Sequence, residues 1–192
     1  MSPIMLNGTR YLVLKGRAEQ IPLRDNSSSL VIATPPYKGA ARIAEEDCAT
    51  RNPSEYERLL RRFLKEATRV VRPHGYILLH TNIPPVARVG NKYEIIFKVF
   101  QKRRRRGRWT HRKIASQAFR THFARVKGII WLAFPVRLYR ALIRRYSAPG
   151  DTIVHAFSGS GNGAIAALEL SRRPIALDLH HHRQVQRRLT RF

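Results

Sequence analysis

The chain is poor in cysteine: it has one, Cys48, in 192 residues. That excludes an internal disulfide framework and suits a reducing compartment. Carboxylates are scarce as well, with 12 aspartates and glutamates against 37 lysines and arginines and a net charge of +25. Such an imbalance speaks to polyanionic partners rather than to a fold, and a ribosomal or nucleoid protein would share it. From Ile95 to Gly150 there is no acidic residue, while 16 lysines and arginines stand there. Long apolar runs are missing too. None approaches the ~20 residues of a membrane-spanning helix, and Lys15 and Arg17 interrupt the only apolar stretch near the N-terminus. A soluble, cytoplasmic protein with no membrane partner is therefore expected. There is no internal repeat, and the length fits a single domain, residues 1–192, around one core.

What is present alternates between strand and helix. Tyr11 to Lys15 and Leu30 to Ala33 read as short buried strands. Asn52 can cap a helix that has Pro53 in its first turn and Glu55 closing a capping box. Apolar residues at Tyr56, Leu59, Leu60, Phe63, Leu64, Ala67, Val70 and Val71 then form a helical stripe. Arg72-Pro73-His74-Gly75 ends it, and Tyr76 to His80 reads as the next strand. Tyr93 to Phe100 and Gly128 to Phe134 are candidate strands flanking a basic insert, about residues 101–127. Phe134-Pro135 opens an amphipathic helix through Tyr146.

Two segments carry chemistry. The strand Leu30 to Ala33 opens onto Thr34-Pro35-Pro36-Tyr37. Consecutive prolines make a rigid loop with no backbone donor at either position, at the strand end where α/β proteins bind ligands. Such a loop can offer carbonyls and a hydroxyl to an exocyclic amine while the aromatic ring stacks on a base. Far downstream, the strand Thr152 to Ala156 leads into Phe157-Ser158-Gly159-Ser160-Gly161-Asn162-Gly163. A small-residue helix (Ala164 to Leu170) follows, then a strand from Pro174 to Leu179 that ends near Asp178. Glycines let the backbone approach a ligand at the helix N-terminus, and the carboxylate can accept from ribose hydroxyls. Gly159, Gly161 and Ala164 also fit a dinucleotide fingerprint, but the short stretch after Asp178 leaves too little for the rest of a nicotinamide domain.

Both segments resemble the DNA amino-methyltransferases. In that family the catalytic loop reads Asp, Asn or Ser, then Pro-Pro, then an aromatic. The cofactor segment reads Asp-Pro-Phe-x-Gly-Ser-Gly-Thr-Thr, with an acidic strand end after it. The order of the two here, Pro-Pro-Tyr first and glycines last, resembles the circularly permuted beta group. The resemblance covers most of the chain and weakens between about Val86 and Leu132. It implies an α/β, Rossmann-like, permuted methyltransferase fold that uses S-adenosylmethionine on double-stranded DNA, with a restriction endonuclease as an open candidate partner. It also implies Thr34, Pro35, Pro36 and Tyr37 as catalytic residues, and Phe157, Ser158, Gly159, Ser160, Gly161 and Asp178 as the cofactor site. The family's target-recognition region lies at the basic insert, so Lys102, Arg103, Arg104, Arg105, Arg106, Arg108, Arg112 and Lys113 are assigned to nucleic acid.

The chain also departs from the pattern. Thr34 offers a neutral hydroxyl, as the serine of many cytosine-N4 enzymes does, which favours cytosine N4 over adenine N6. Arg17 stands where the family often has an aspartate, His155-Ala156 replaces Asp-Pro, and Asn162-Gly163 replaces a threonine pair. A catalytically silent nucleic-acid-binding relative and an RNA amino-methyltransferase therefore stay open. Carbon-5 methylation is disfavoured, since Cys48 lies well beyond the loop that would need a nucleophile. Arg42 to Arg51 is expected to be a flexible loop over the active site. His180-His181-His182, with no cysteine or second carboxylate ligand nearby, is expected to be a loop or helix start and not a metal site.

Overall fold

A computed structural model of the chain describes residues 4–6, 9–35, 53–80, 88–89, 92–121, 124–125 and 132–191. Residues Ile4–Leu6 (β1) and Thr9–Lys15 (β2) form a hairpin, and Ser28–Ala33 (β3) leads to the helix Pro53–Val70 (α1). Then come Val71–His80 (β4), Arg88–Val89 (β5), Lys92–Arg105 (β6), Arg108–Thr121 (β7), and the short pair Ala124–Arg125 (β8) and Leu132–Ala133 (β9). The rest of the described chain is Val136–Tyr146 (α2), Thr152–Ala156 (β10), Asn162–Glu169 (α3), Arg173–Asp178 (β11) and His182–Leu189 (α4). The expected elements are present where the residues are described, with bounds shifted by a few residues; of the strand expected at Gly128 to Phe134 only Leu132–Ala133 is described, and the expected cap Asn52 lies outside the described residues. Residues 126–131 and the loop 42–51 lie outside the described residues.

A nine-stranded sheet runs β1-β2-β11-β10-β3-β4-β6-β5, with β7 on the other edge of β6. Strands β2, β11, β10, β3 and β4 are parallel, while β6 and β7 join antiparallel. A parallel sheet needs cover on both faces, and the alternation of side chains provides for it. Leu30, Ile32, Leu78 and Ile153 pack on one face with Leu138, Leu142, Ile143, Ala166 and Ala167 of α2 and α3. Val31, Ala33, Ile77, Leu79, Val154 and Ala156 face Phe63, Ala67 and Val70 of α1. Helix α4 adds Val185 and Leu189 to a smaller cluster with Tyr11, Ala164 and Ala176.

The turn expected at Arg72-Pro73-His74-Gly75 lies inside β4 as a bulge, between the pairs Ser28↔Val71 and Leu30↔Tyr76. His74 takes φ 62, and a Cβ on Gly75 would lie 2.7 Å from the Ser29 carbonyl oxygen. The basic stretch is likewise more ordered than an insert. Residues 101–105 and 108–121 are the two arms of a β6–β7 hairpin. Its turn, Arg106-Gly107, has φ 48 and 76, the paired positive values of a tight two-residue hairpin turn.

Candidate active site

The site lies at the carboxyl ends of the parallel strands. Helix α3 carries the chain from β10 to β11 over one face, and α1 carries it from β3 to β4 over the other. The two connections diverge between β10 and β3, which makes a topological switch point and opens a crevice there. Both motif loops end on that crevice. Thr34 leaves β3, Phe157 leaves β10, and the Thr34 hydroxyl donates to the Phe157 carbonyl at 3.3 Å. Its proton is committed to that bond, so the oxygen presents lone pairs to anything else that approaches. Pro35 is buried beside it, while Pro36 and Tyr37 lie outside the described residues.

The glycine loop is shaped by backbone rather than side chains. Phe157, Gly159 and Gly161 all adopt positive φ (54, 49 and 77), and the Phe157 ring packs edge-on against Phe63 at 5.9 Å. A Cβ on Gly161 would meet Val185 Cγ1 at 3.0 Å, so α4 can sit close beneath the loop. A Cβ on Gly159 would find nothing nearer than the Phe157 carbonyl at 3.9 Å, so the loop's outer side is open. The N-terminus of α3 follows directly, with its positive dipole end and with the Asn162 N–H donating to Ser160 Oγ at 3.5 Å. Ser158 is buried, and its hydroxyl has no partner among the described residues.

Asp178 holds this loop in place. Its Oδ2 accepts the Gly159 N–H at 2.7 Å, and its Oδ1 accepts the N–H groups of His180 (3.0 Å) and His181 (2.7 Å). His181 Nδ1 adds a contact at 3.4 Å. Burial would raise its pKa, but the hydrogen bonds from His181 and Gly159 prevail and hold the carboxyl at about 2. In return the bond to Asp178 raises the pKa of His181. The carboxylate thus spends most of its accepting capacity on the protein's own backbone. From the far side of the loop, Arg188 of α4 donates to the Ser160 carbonyl.

Two of the sequence departures turn out to be one packing event. His155 is fully buried on β10, its ring 5.0 Å from that of Tyr139. A Cβ on Gly163 would lie 2.5 Å from His155 Nδ1 and 2.7 Å from Cε1. The imidazole therefore fills the space that a side chain on the first turn of α3 would need. Neither ring nitrogen has a partner among the described residues, and burial pushes the pKa down to about 4. Asn162, the other departure, donates from Nδ2 to the Phe134 carbonyl at 2.8 Å and ties α3 to the start of α2.

Sequence reasoning passed over Glu19. It follows the end of β2, beside the end of β11, with its carboxylate 3.7 Å from Arg17 and its side chain mostly covered. A carboxylate is thus present at this edge, two residues beyond the position where Arg17 leaves one missing. The only clue in sequence was that it is one of few acids near a strand end.

The basic residues fall elsewhere. Strand β6 runs antiparallel to β4, so its C-terminal half leads away from the crevice, toward the start of β4. Lys102 is 3 % exposed. Its ammonium donates to Asn26 Oδ1 (2.7 Å) and to the Val71 carbonyl (2.8 Å), with the Arg69 carbonyl at 3.4 Å. It anchors the hairpin to the far edge of the sheet and is not free for phosphate. Arg103, Arg104, Arg105, Arg106, Arg108, Arg112 and Lys113 are exposed. They do not share an edge with Thr34.

Comparison with known proteins agrees with this geometry. Residues 132–186 match the family model described as DNA methylase (N6/N4). That segment holds α2, the glycine loop and Asp178, but not Thr34. The resemblance in sequence is confined to that segment, which is similar to the DNA methylases. Among solved structures the methyltransferase fold recurs in a protein assigned as a DNA modification methylase from Thermus thermophilus, in complex with S-adenosyl-L-methionine. That structure is 17% identical with a TM-score of 0.55, over 94% of this chain and 94% of that one. M1.HpyAVI in its SAM complex is 14% identical with a TM-score of 0.56, over 93% and 98%. The cytosine-N4-specific PvuII DNA methyltransferase is 13% identical with a TM-score of 0.53, over 88% and 83%. No curated protein sequence matches the chain.

Proposed function

We propose that this methyltransferase transfers a methyl group from S-adenosylmethionine to an exocyclic amine of DNA, with cytosine N4 as the acceptor. The observation that carries the reading is the hydrogen bond between Thr34 and Phe157, which joins the two motif loops across the switch point. The chain order, with the glycine-loop strand β10 late in sequence yet next to β3 in the sheet, supports the permuted arrangement.

The residues present fit the cofactor. The open side of Gly159, the N-terminus of α3 and the carboxylates of Asp178 and Glu19 would hold its methionine and ribose parts. The DNA methylase match over residues 132–186 and the SAM complexes of the fold neighbours support this. When bound, the cofactor supplies an electrophilic methyl carbon on a sulfonium. The chain therefore needs no strong base; it must position the amine and disperse its developing charge. Thr34 Oγ1 and the Pro35 carbonyl would accept the two amine hydrogens and turn the nitrogen lone pair toward the crevice. A neutral acceptor at Thr34 is what favours cytosine N4. Reaching that amine in a duplex requires extruding the base, and Tyr37 is the stacking partner we assign to it.

The test is transfer of labelled methyl from S-adenosylmethionine to duplex DNA, with nucleoside analysis of the product and calorimetry of cofactor binding. Thr34→Val should keep cofactor affinity and lose at least tenfold in turnover. A wild type that binds no cofactor would favour the silent-relative reading instead. N6-methyladenine as the product would refute the choice of base, and label entering RNA alone would refute the choice of DNA.

A further inference from the structure

The arginine-rich tip of the β6–β7 hairpin is the largest feature that this function does not use. Its position is fixed by strand pairing. Ala33 pairs with Leu79 and Leu79 with Lys98, so Lys98 marks the level of the catalytic loop on β6. Arg105 lies seven residues farther on, which at ~3.3 Å per residue puts it about 23 Å away along the strand. Lys102, anchored at Asn26 and Val71, confirms the direction: the tip projects from the edge opposite the crevice.

Residues 103–109 are all exposed, and no carboxylate among the described residues pairs with them. Cross-strand register sorts the cations by face. Arg105 stands opposite Arg108, Gln101 opposite Arg112 and Arg103 opposite Thr110, which gathers four guanidinium groups on one side of the ribbon. The other side carries Arg104 opposite Trp109, whose ring is 43% exposed and lies 5.6 Å from the Lys102 ammonium. Like charges directly opposed on a ribbon oppose its pairing. A polyanion laid along that face would relieve the repulsion, and the tight Arg106-Gly107 turn keeps the tip narrow.

We propose that this tip is a duplex-DNA-binding site separate from the catalytic crevice. A two-stranded ribbon fits the major groove of B-form DNA, about 12 Å wide, with arginines able to reach phosphates and guanine edges. The deep, narrow major groove of an A-form RNA helix would exclude it. A rigid duplex seated in the crevice at one edge of the sheet does not also lie along the tip at the other, so the two sites hold two DNA segments, or one that bends around the domain.

The inference goes beyond the methyl-transfer reading and is tested apart from it, by titrating the full chain with a short B-form duplex and counting duplexes per chain. A variant carrying Arg103→Ser, Arg105→Ser, Arg108→Ser and Arg112→Ser should bind one duplex fewer than the wild type. The salt dependence of binding should flatten by about 0.9 log units per lost phosphate contact. Wild-type stoichiometry of two falling to one supports both readings, and one falling to none supports the tip site while removing the crevice as a DNA site. Unchanged stoichiometry and slope in the variant would overturn the proposal. So would an RNA duplex that binds the wild type equally well and is lost equally in the variant.

Discussion

Putting a methyl group on Gly163 would drive it into the imidazole of His155, with Cβ 2.5 Å from Nδ1 and 2.7 Å from Cε1. Neither side can yield easily, because the ring is sealed between β10, Tyr139 and the start of α3. Overpacking of this kind costs about 1–3 kcal/mol. The same substitution removes a glycine from a helix, which is worth about 1 kcal/mol in the opposite direction. Gly163→Ala should thus destabilise the wild type by a net ~0–2 kcal/mol. In a His155→Ala background the added methyl enters vacated space, only the helix gain remains, and the sign should reverse. Urea unfolding of the four proteins gives the coupling directly, provided the slope m stays constant across the set. Independent sites add within about 0.5 kcal/mol. If Gly163→Ala has the same effect in both backgrounds within that margin, His155 and Gly163 are unrelated substitutions and the packing argument is refuted.

Two further outcomes follow from buried groups. Lys102→Met should destabilise by about 1–3 kcal/mol, since Asn26 Oδ1 and the Val71 carbonyl lose their donor, yet leave the salt dependence of DNA binding unchanged; a flatter slope would return Lys102 to the phosphate-contacting set. His155 is held neutral in the folded protein, with a pKa lowered from 6.5 to about 4. Its contribution is therefore complete above pH 6.5 and is lost as pH falls toward 4, by up to about 3 kcal/mol. Urea midpoints measured from pH 7 to 5 should fall more steeply for the wild type than for His155→Asn, and parallel curves would count against it.

Much of the fold was legible because the signals are local. The apolar runs at β3, β4 and β10 are short and continuous, as strands buried on both faces must be, and the period of α1 is clear. The glycine loop was legible for the same reason, as positive φ at Gly159 and Gly161 favours residues without a Cβ. What sequence could not show is which groups are already spent. Asp178 reads as a free acceptor at a strand end, and the fold gives three backbone N–H groups to it. His155 and Gly163 read as two losses, whereas each is the space the other requires. The basic stretch shows the limit most plainly. Eight cations in twelve residues look like one recognition surface, but strand direction decides where they stand. Because β6 runs antiparallel to β4, every residue of β6 past Lys98 moves away from Thr34, and a bulge at Val99/Phe100 with the burial of Lys102 fixes which of the cations face solvent. Direction and register are properties of pairing between distant segments. A composition that demands a polyanion therefore leaves open which edge of the sheet the polyanion meets.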